Sequence, residues 1–229
     1  MPIYQLIDDL IFPPQDHAEE GGLLAVGGDL SPRRLLLAYS MGIFPWFSED
    51  DPILWWTPDP RCILRPSDLR ISRSLAKELR RGRFRITFDQ AFSDVIRACA
   101  GTPRKDGPGT WITAEMLAAY DLLHHLGYAH SVECWCEGCL VGGLYGISLG
   151  GCFFGESMFH HMPNASKVAF VTLVRHLTAL GYQLIDCQQP SSHLFSMGAR
   201  EVARTKFLQF LEAAGVRPST LPSKGVFPA

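Results

Sequence analysis

Apolar segments of different length and period follow one another along the second half of this chain. Residues 128–135, 140–149 and 152–159 are largely apolar and are separated by short Glu-Gly and Gly-Gly turns, which predicts three strands in a meander. Two longer segments, 113–126 and 165–180, are followed by glycines and are typical of helices. This order of elements predicts a mixed α+β fold.

The first sixty residues lack this regular order and are rich in glycine, proline and tryptophan. Ser31 followed by Pro32 predicts the start of a helix, because a hydroxyl caps the first turn and proline fits the first helical position. Pro58 and Pro60 indicate a boundary near residue 62. We therefore expect a small N-terminal domain, residues 1–62, and a larger domain, residues 63–229, that ends in a proline-containing tail.

The strand predicted to begin at Leu184 carries two polar side chains in an apolar setting. Because successive side chains of a strand alternate, Asp186 and Gln188 face one side, and Ile185 and Cys187 face the other. A buried carboxylate is costly unless it is paired, so Asp186 indicates a functional site. Cys187 could be a nucleophile, but a buried structural cysteine is the favoured interpretation because it faces away from Asp186.

Glu156 interrupts the last strand of the meander. Alternation places it on the same face as Phe154 and Met158, and a carboxylate among large apolar groups indicates a pocket for an amphipathic, cationic ligand. A solvated glutamate on an edge strand is the alternative.

Two further motifs are weaker. The cysteines 134, 136 and 139 lack a fourth ligand at zinc-site spacing, so we interpret them as small apolar residues near a hairpin and expect no metal. The segment 104–109 fits the R-x-x-G-x-G pattern that binds the pyrophosphate of coenzyme A. However, it follows a predicted helix, whereas that function requires a preceding strand, so a loop is favoured.

Composition excludes some classes of protein. The chain has 229 residues, of which 47% are hydrophobic and 19% charged, with a net charge of −2. Without a basic, apolar leader or a long apolar run, we expect a cytoplasmic protein with no membrane association, and the seven scattered cysteines agree. Locally, residues 70–85 hold seven basic residues and one acidic residue, and they include a predicted helix, 72–81. This charge is compatible with a few phosphate contacts and equally with a solvated helix face.

Eight motifs in order resemble the leucyl/phenylalanyl-tRNA–protein transferase family, from about residue 4 to residue 210. They are GLLAVGGDLSP (22–32), GIFPWF (42–47), WWTPDPR (55–61), GTWIT (109–113), LVGGLYG (140–146), GESMF (155–159), NASK (164–167) and LIDCQ (184–188). The resemblance implies a bacterial enzyme of the N-end rule pathway. Such enzymes transfer leucine or phenylalanine, and methionine less well, from aminoacyl-tRNA to proteins with N-terminal arginine or lysine.

The resemblance also implies an acetyltransferase-like larger domain, no coenzyme A or other cofactor, and roles for particular residues. Asp186 and Gln188, with Glu156 beside them, match the catalytic positions. The pocket for the apolar side chain matches Phe153, Gly155, Met158 and Ile185. Aromatic residues around the terminal adenosine and the acceptor match Tyr39, Trp46, Trp111 and Tyr120. The resemblance also implies, less specifically, a tRNA contact for four arginines that match the family only in basic character: Arg80, Arg81, Arg83 and Arg85.

The expected reaction is aminolysis of the aminoacyl ester by an α-amine. The amide oxygen of Gln188 can accept a hydrogen bond from the amine while Asp186 orients it, and Asp186 or Glu156 can favour a cationic N-terminal residue. The final proton acceptor stays open between a side chain and a tRNA hydroxyl. A coenzyme A-dependent acyltransferase and a non-enzymatic tRNA-binding module are the alternatives, and we expect a monomer.

Overall fold

The structure, a computed structural model, describes residues 3–102 and 112–227. The strands are β1 (Tyr4–Leu6), β2 (Leu23–Gly27), β3 (Phe44–Pro45), β4 (Leu54–Trp56), β5 (Arg61–Leu64), β6 (Arg85–Phe88), β7 (Ala129–Cys136), β8 (Cys139–Leu149), β9 (Cys152–His160), β10 (Leu184–Gln188) and β11 (Arg200–Val202). The α-helices are α1 (Pro32–Ser40), α2 (Arg73–Arg81), α3 (Phe92–Ala100), α4 (Ala114–His125), α5 (Ala165–Ala179), α6 (Ser192–Ser196) and α7 (Arg204–Ala213), and 3-10 turns lie at Gln15–His17 and Pro66–Asp68.

The strands form two sheets. The smaller sheet has the order β1-β2-β4-β3, and the larger has the order β11-β5-β10-β9-β8-β7-β6. In the larger sheet β9 and β10 run parallel, and the other neighbours are antiparallel. The boundary expected near residue 62 falls inside β5, which enters this sheet between β11 and β10.

Helices pack on both faces of the larger sheet. One core cluster contains residues of α1, α3, α4 and α7, among them Tyr39, Tyr120 and Phe207. The other contains residues of α2 and α5, among them Leu75 and Phe170. No helix in residues 3–102 and 112–227 is both long and apolar enough to cross a membrane.

The mixed α+β class and the meander β7-β8-β9 predicted from the sequence are confirmed. The predicted N-cap of α1 is also present, because the backbone N–H of Arg34 donates to the Ser31 hydroxyl at 3.4 Å. Asn164 differs from a usual cap: it has φ of 70° and its side chain makes no capping hydrogen bond to α5. Its left-handed backbone alone redirects the chain into the helix.

The tail after α7 packs back onto the sheet. The backbone N–H of Gly225 donates to the carbonyl of Ser148 at 3.1 Å. The ring of Phe227 stacks on His130, with centroids 4.1 Å apart, and on Phe153, with centroids 5.9 Å apart. The tail therefore packs against β9, the strand that borders the site described next.

Candidate active site

Two β-bulges in the neighbouring strands β9 and β10 shape the site. In β9, Gly155 pairs with Gly146 and Ser157 with Tyr145, so Glu156 is an extra residue. In β10 the register shifts between Asp186 and Gln188, and Gln188 has φ of 59°. As a result, Gln188 Nε2 donates a hydrogen bond of 2.7 Å to Glu156 Oε1.

The expectation that Glu156 shares one face with both Phe154 and Met158 is wrong. Phe154 belongs to the core cluster of α1 and α4, whereas Met158 packs against the cluster of α2 and α5. The extra residue at the bulge reverses the alternation of side chains beyond Glu156. A regular strand would place Phe154 and Met158 on the same face of the sheet.

The carboxylate of Glu156 is held by hydrogen bonds from buried groups. The hydroxyl of Tyr120 donates to Oε2 at 3.0 Å, and the Tyr39 and Tyr120 hydroxyls hydrogen-bond each other. Burial raises the pKa of Glu156 to about 7, the hydrogen bonds from Tyr39, Tyr120 and Gln188 oppose this rise, and the charge of Asp186 adds to it. Glu156 therefore changes charge close to neutral pH.

Asp186 lies in a buried ion pair that the sequence does not reveal. Arg61 donates through Nε and Nη2 to its two oxygens, at 2.8 and 2.6 Å, and the two side chains are 1% and 0% exposed. The guanidinium lies 4.7 Å from the ring centroids of both Phe44 and Phe207. Because the backbone N–H of Gln188 also donates to Asp186 Oδ1, at 2.9 Å, the carboxylate fixes the bulge that presents Gln188.

A cavity of about 220 Å³, lined by Glu156 and Asp186 among others, is called the apolar cavity below. Its walls include the four residues expected to contact the apolar side chain of the substrate: Phe153, Gly155, Met158 and Ile185. Further lining residues that the sequence did not single out are Leu144, Phe170, Leu173, His193 and Leu194. The volume is below the ~300–1,000 Å³ typical of drug-sized ligands and suits a single side chain.

A second cavity, also about 220 Å³, is likewise lined by Glu156 and is called the aromatic cavity. Phe44, Trp46 and Gln188 line it, and it shares Glu156 and Cys187 with the apolar cavity. Trp46 is 41% exposed, whereas Tyr39 and Tyr120 are fully buried and hydrogen-bond Glu156 through their hydroxyls. Trp111 and the segment 104–109 lie outside the described residues.

The basic residues near α2 are exposed and partly neutralised. Arg81 and Arg83 each form an ion pair with Glu78 at 3.0 Å. Arg85 lies over the ring of Trp135, and Arg80 is exposed. None of the four arginines lines the apolar or the aromatic cavity.

The cysteines form no metal centre in the described part of the chain, where no group of three or more metal-ligating side chains occurs. Burial raises the pKa of the Cys134 thiol to about 12, which keeps it neutral. A hydrogen bond with Cys62, together with burial, raises the pKa of Cys187 well above its usual range. The Cys134 and Cys187 thiols are therefore protonated at neutral pH and are poor nucleophiles.

Comparisons with known proteins match nearly the whole chain. Residues 63–212 match the family model "Leucyl/phenylalanyl-tRNA protein transferase", and residues 28–59 match the model of its N-terminal domain. A protein of Syntrophotalea carbinolica named leucyl/phenylalanyl-tRNA–protein transferase is 78% identical over 229 residues, which is 100% of both chains.

Solved structures are more distant. The structure of L-PGS from Bacillus licheniformis is 13% identical, with a TM-score of 0.43, over 60% of this chain and 48% of that chain. Ribosomal-protein-alanine N-acetyltransferase from Brucella melitensis is 12% identical, with a TM-score of 0.36, over 64% of this chain and 99% of that chain. An N-acetyltransferase is thus among these similar structures, but TM-scores of 0.43 and 0.36 carry no argument about this chain. By the two matching models and the 78% identity, this chain belongs to the leucyl/phenylalanyl-tRNA protein transferase family and is an enzyme of that class.

Proposed function

We propose that this protein transfers a leucyl or phenylalanyl residue, and a methionyl residue less readily, from aminoacyl-tRNA to proteins that begin with arginine or lysine. The new peptide bond would mark those proteins for degradation by the N-end rule in the cytoplasm. The observation that carries this proposal is the apolar cavity lined by Glu156, whose carboxylate accepts a hydrogen bond from Gln188. Membership of the family supports it, and the reaction needs no cofactor.

The donor side of the reaction is assigned to the apolar cavity. A leucyl, phenylalanyl or methionyl side chain has the size and polarity of this space, and Phe153, Met158 and Ile185 offer apolar contacts. The ester carbonyl then lies at the edge of the cavity, near Glu156. Holding both reactants at this edge lowers the barrier, and good alignment contributes ~7–11 kcal/mol.

The acceptor side is assigned to the aromatic cavity. An α-ammonium group has a pKa of ~7.7–8.0 in model peptides, close to the value of about 7 for Glu156. A proton can therefore pass from the ammonium to Glu156 at little cost, leaving the neutral amine that attacks the carbonyl. The new C–N bond replaces the C–O bond of the ester, and the ribose oxygen leaves as a hydroxyl with the proton that the attacking nitrogen gives up. The amide nitrogen of Gln188 is used by Glu156, so its amide oxygen is the group that accepts a hydrogen bond from the amine.

Asp186 acts through Gln188 in this scheme. Its side chain has no exposed surface, and its oxygens accept hydrogen bonds from Arg61 and from the backbone of Gln188. The proposal therefore makes Asp186 and Arg61 positioning residues, whereas Glu156 and Gln188 contact the amine. This changes the role expected for Asp186 from the sequence alone.

The aromatic and basic residues complete the proposal. Trp46 borders the aromatic cavity and offers a ring face to the terminal adenosine or the acceptor peptide. Trp111 keeps the same expected role, and Arg80, Arg81, Arg83 and Arg85 would contact the body of the tRNA. Because residues of one chain line both cavities, we propose that the protein acts as a monomer.

Mass spectrometry of a peptide with N-terminal arginine, incubated with the protein and leucyl-tRNA, tests the function. We expect the peptide to gain one leucyl residue, and the same peptide with an acetylated N-terminus to gain none. Gln188→Ala and Glu156→Gln should each lower transfer by at least about 100-fold, the scale of acid–base and positioning effects. Labelling of the acetylated peptide, or full activity of both variants, would contradict the proposal.

A further inference from the structure

A third cavity, of about 750 Å³, adjoins the apolar cavity and has a different lining; it is called the basic cavity here. It lies between the start of α5, the end of β9 and α6, and it shares Met158 and His193 with the apolar cavity. Its basic side chains are His160, Lys167 and His193. Among the described residues no carboxylate lines it, and four of its residues carry hydroxyls: Thr102, Ser166, Ser192 and Ser196.

The basic groups in this cavity repel one another. Burial lowers the pKa of His193, and the charges of Lys167 and His160 lower it further. A bound anion would relieve this repulsion.

We propose that the basic cavity binds the phosphodiesters at the 3′ end of the tRNA donor, an inference that rests on the proposed function. In an aminoacyl-tRNA the amino acid is esterified to the terminal ribose, and the 5′ oxygen of that ribose carries the last phosphodiester. With the amino-acid side chain in the apolar cavity, the shared border at Met158 and His193 leads the ribose–phosphate chain into the basic cavity. Lys167 supplies the charge, and the hydroxyl groups supply neutral donors.

This assignment separates two kinds of tRNA contact. The arginines near α2 line none of the three cavities, so they should affect only a donor that has a tRNA body. The basic cavity adjoins the space assigned to the amino acid, so it should also affect a donor reduced to its last nucleotides. Donors of decreasing length therefore distinguish the two.

The test compares three donors with the same acceptor peptide: phenylalanyl-tRNA, the phenylalanyl ester of the trinucleotide CCA, and phenylalanyl-adenosine, which has no phosphate. The variants are Lys167→Ala, Lys167→Gln as a second variant that removes the charge but keeps a polar side chain, and Lys167→Arg as the conservative change. Lys206→Ala is the matched control, because it removes an exposed cation from α7, away from the basic cavity.

We expect Lys167→Ala and Lys167→Gln to raise KM about tenfold for the tRNA and trinucleotide donors, as loss of a charged hydrogen bond does. KM for phenylalanyl-adenosine and kcat for all donors should change less than about twofold, and Lys167→Arg should recover most of the affinity. An equal rise in KM for phenylalanyl-adenosine, or no rise for any donor, overturns the inference. Absence of transfer by the unaltered protein from all three donors instead refutes the proposed function, and this inference with it.

A binding measurement identifies the source of the anion. The dinucleotide CpA, which has one phosphodiester, should shift the NMR signals of the His193 ring in the full-length protein, and Lys167→Ala should weaken this binding about tenfold. Inorganic phosphate at the same concentration should give a much smaller shift. A shift with inorganic phosphate alone overturns the assignment to tRNA.

Discussion

Replacing Glu156 by glutamine should change the pH dependence of stability in a direction that the structure fixes. Glutamine keeps the size of the side chain and a carbonyl oxygen for the hydrogen bonds from Tyr120 or Gln188, but it cannot ionise. In the native protein the pKa of Glu156 is raised from 4.5 to about 7, chiefly by burial. The folded protein therefore holds a proton that the unfolded chain has lost between these two pH values.

The sign and size of the effect follow from linkage. A carboxyl group with a raised pKa contributes stability that is fully present below pH 4.5 and is lost as pH rises through about 7. At about 1.36 kcal/mol per pKa unit, the difference between 4.5 and about 7 corresponds to at most about 3 kcal/mol of unfolding free energy. Glu156 is only partly buried and borders two cavities, so access of water reduces the value, and about 2 kcal/mol between pH 5 and pH 8 is expected.

The assay is urea unfolding of the unaltered protein and of Glu156→Gln at pH 5 and at pH 8. The difference in unfolding free energy between the two proteins should move by about 2 kcal/mol in favour of the variant as pH rises. Among the described residues, titratable groups near Glu156 include Tyr39, Tyr120, Asp186 and Cys187. Burial first, and then the charge of Glu156, raise the pKa of both tyrosines well above the usual range, so they stay protonated throughout. A pH-independent difference, or one that moves in favour of the unaltered protein, refutes the reasoning.

Three further changes test other parts of the site. Arg61→Ala should lower the free energy of unfolding by about 3–5 kcal/mol, because it leaves the buried carboxylate of Asp186 unpaired; a loss under about 1 kcal/mol in urea unfolding would contradict this. Ile185→Ala should widen the apolar cavity and raise transfer of phenylalanine relative to leucine by about tenfold in a competition assay. An unchanged ratio would mean that Ile185 does not limit the donor side chain. Phe227→Ala should remove about 2 kcal/mol of stability, since its ring stacks on His130 and Phe153, and Phe227→Leu should recover half or more. Equal loss in both variants would show that the stacked ring matters rather than the buried area.

Much of the fold is predictable because its signals are local. The meander from β7 to β9 follows from apolar segments separated by short turns, and the start of α1 follows from a hydroxyl cap before a proline. The helix α5 is predicted almost to the residue by its apolar spacing and the glycine that follows it. Short-range patterns of this kind need no knowledge of what lies opposite each element.

The partners of the polar residues are not local, and the sequence could not supply them. Arg61 and Asp186 are 125 residues apart, and their pairing depends on β5 lying beside β10. Lys167 and His193 lie on different helices, α5 and α6, which border one cavity. Pairings of this range require the topology of the sheet, which the period of apolar residues does not encode.

The two bulges explain why one short strand and its neighbour can hold both halves of a site. In regular strands, the side chains of Glu156 and Gln188 would point in the directions set by strict alternation. The extra residue in β9 and the register shift in β10 change those directions at neighbouring positions of the sheet. Asp186 then stabilises the second irregularity through the backbone of Gln188, and Arg61 neutralises the charge that this requires. The buried ion pair therefore sets the geometry of the site, and in the proposed mechanism Glu156 and Gln188 contact the amine.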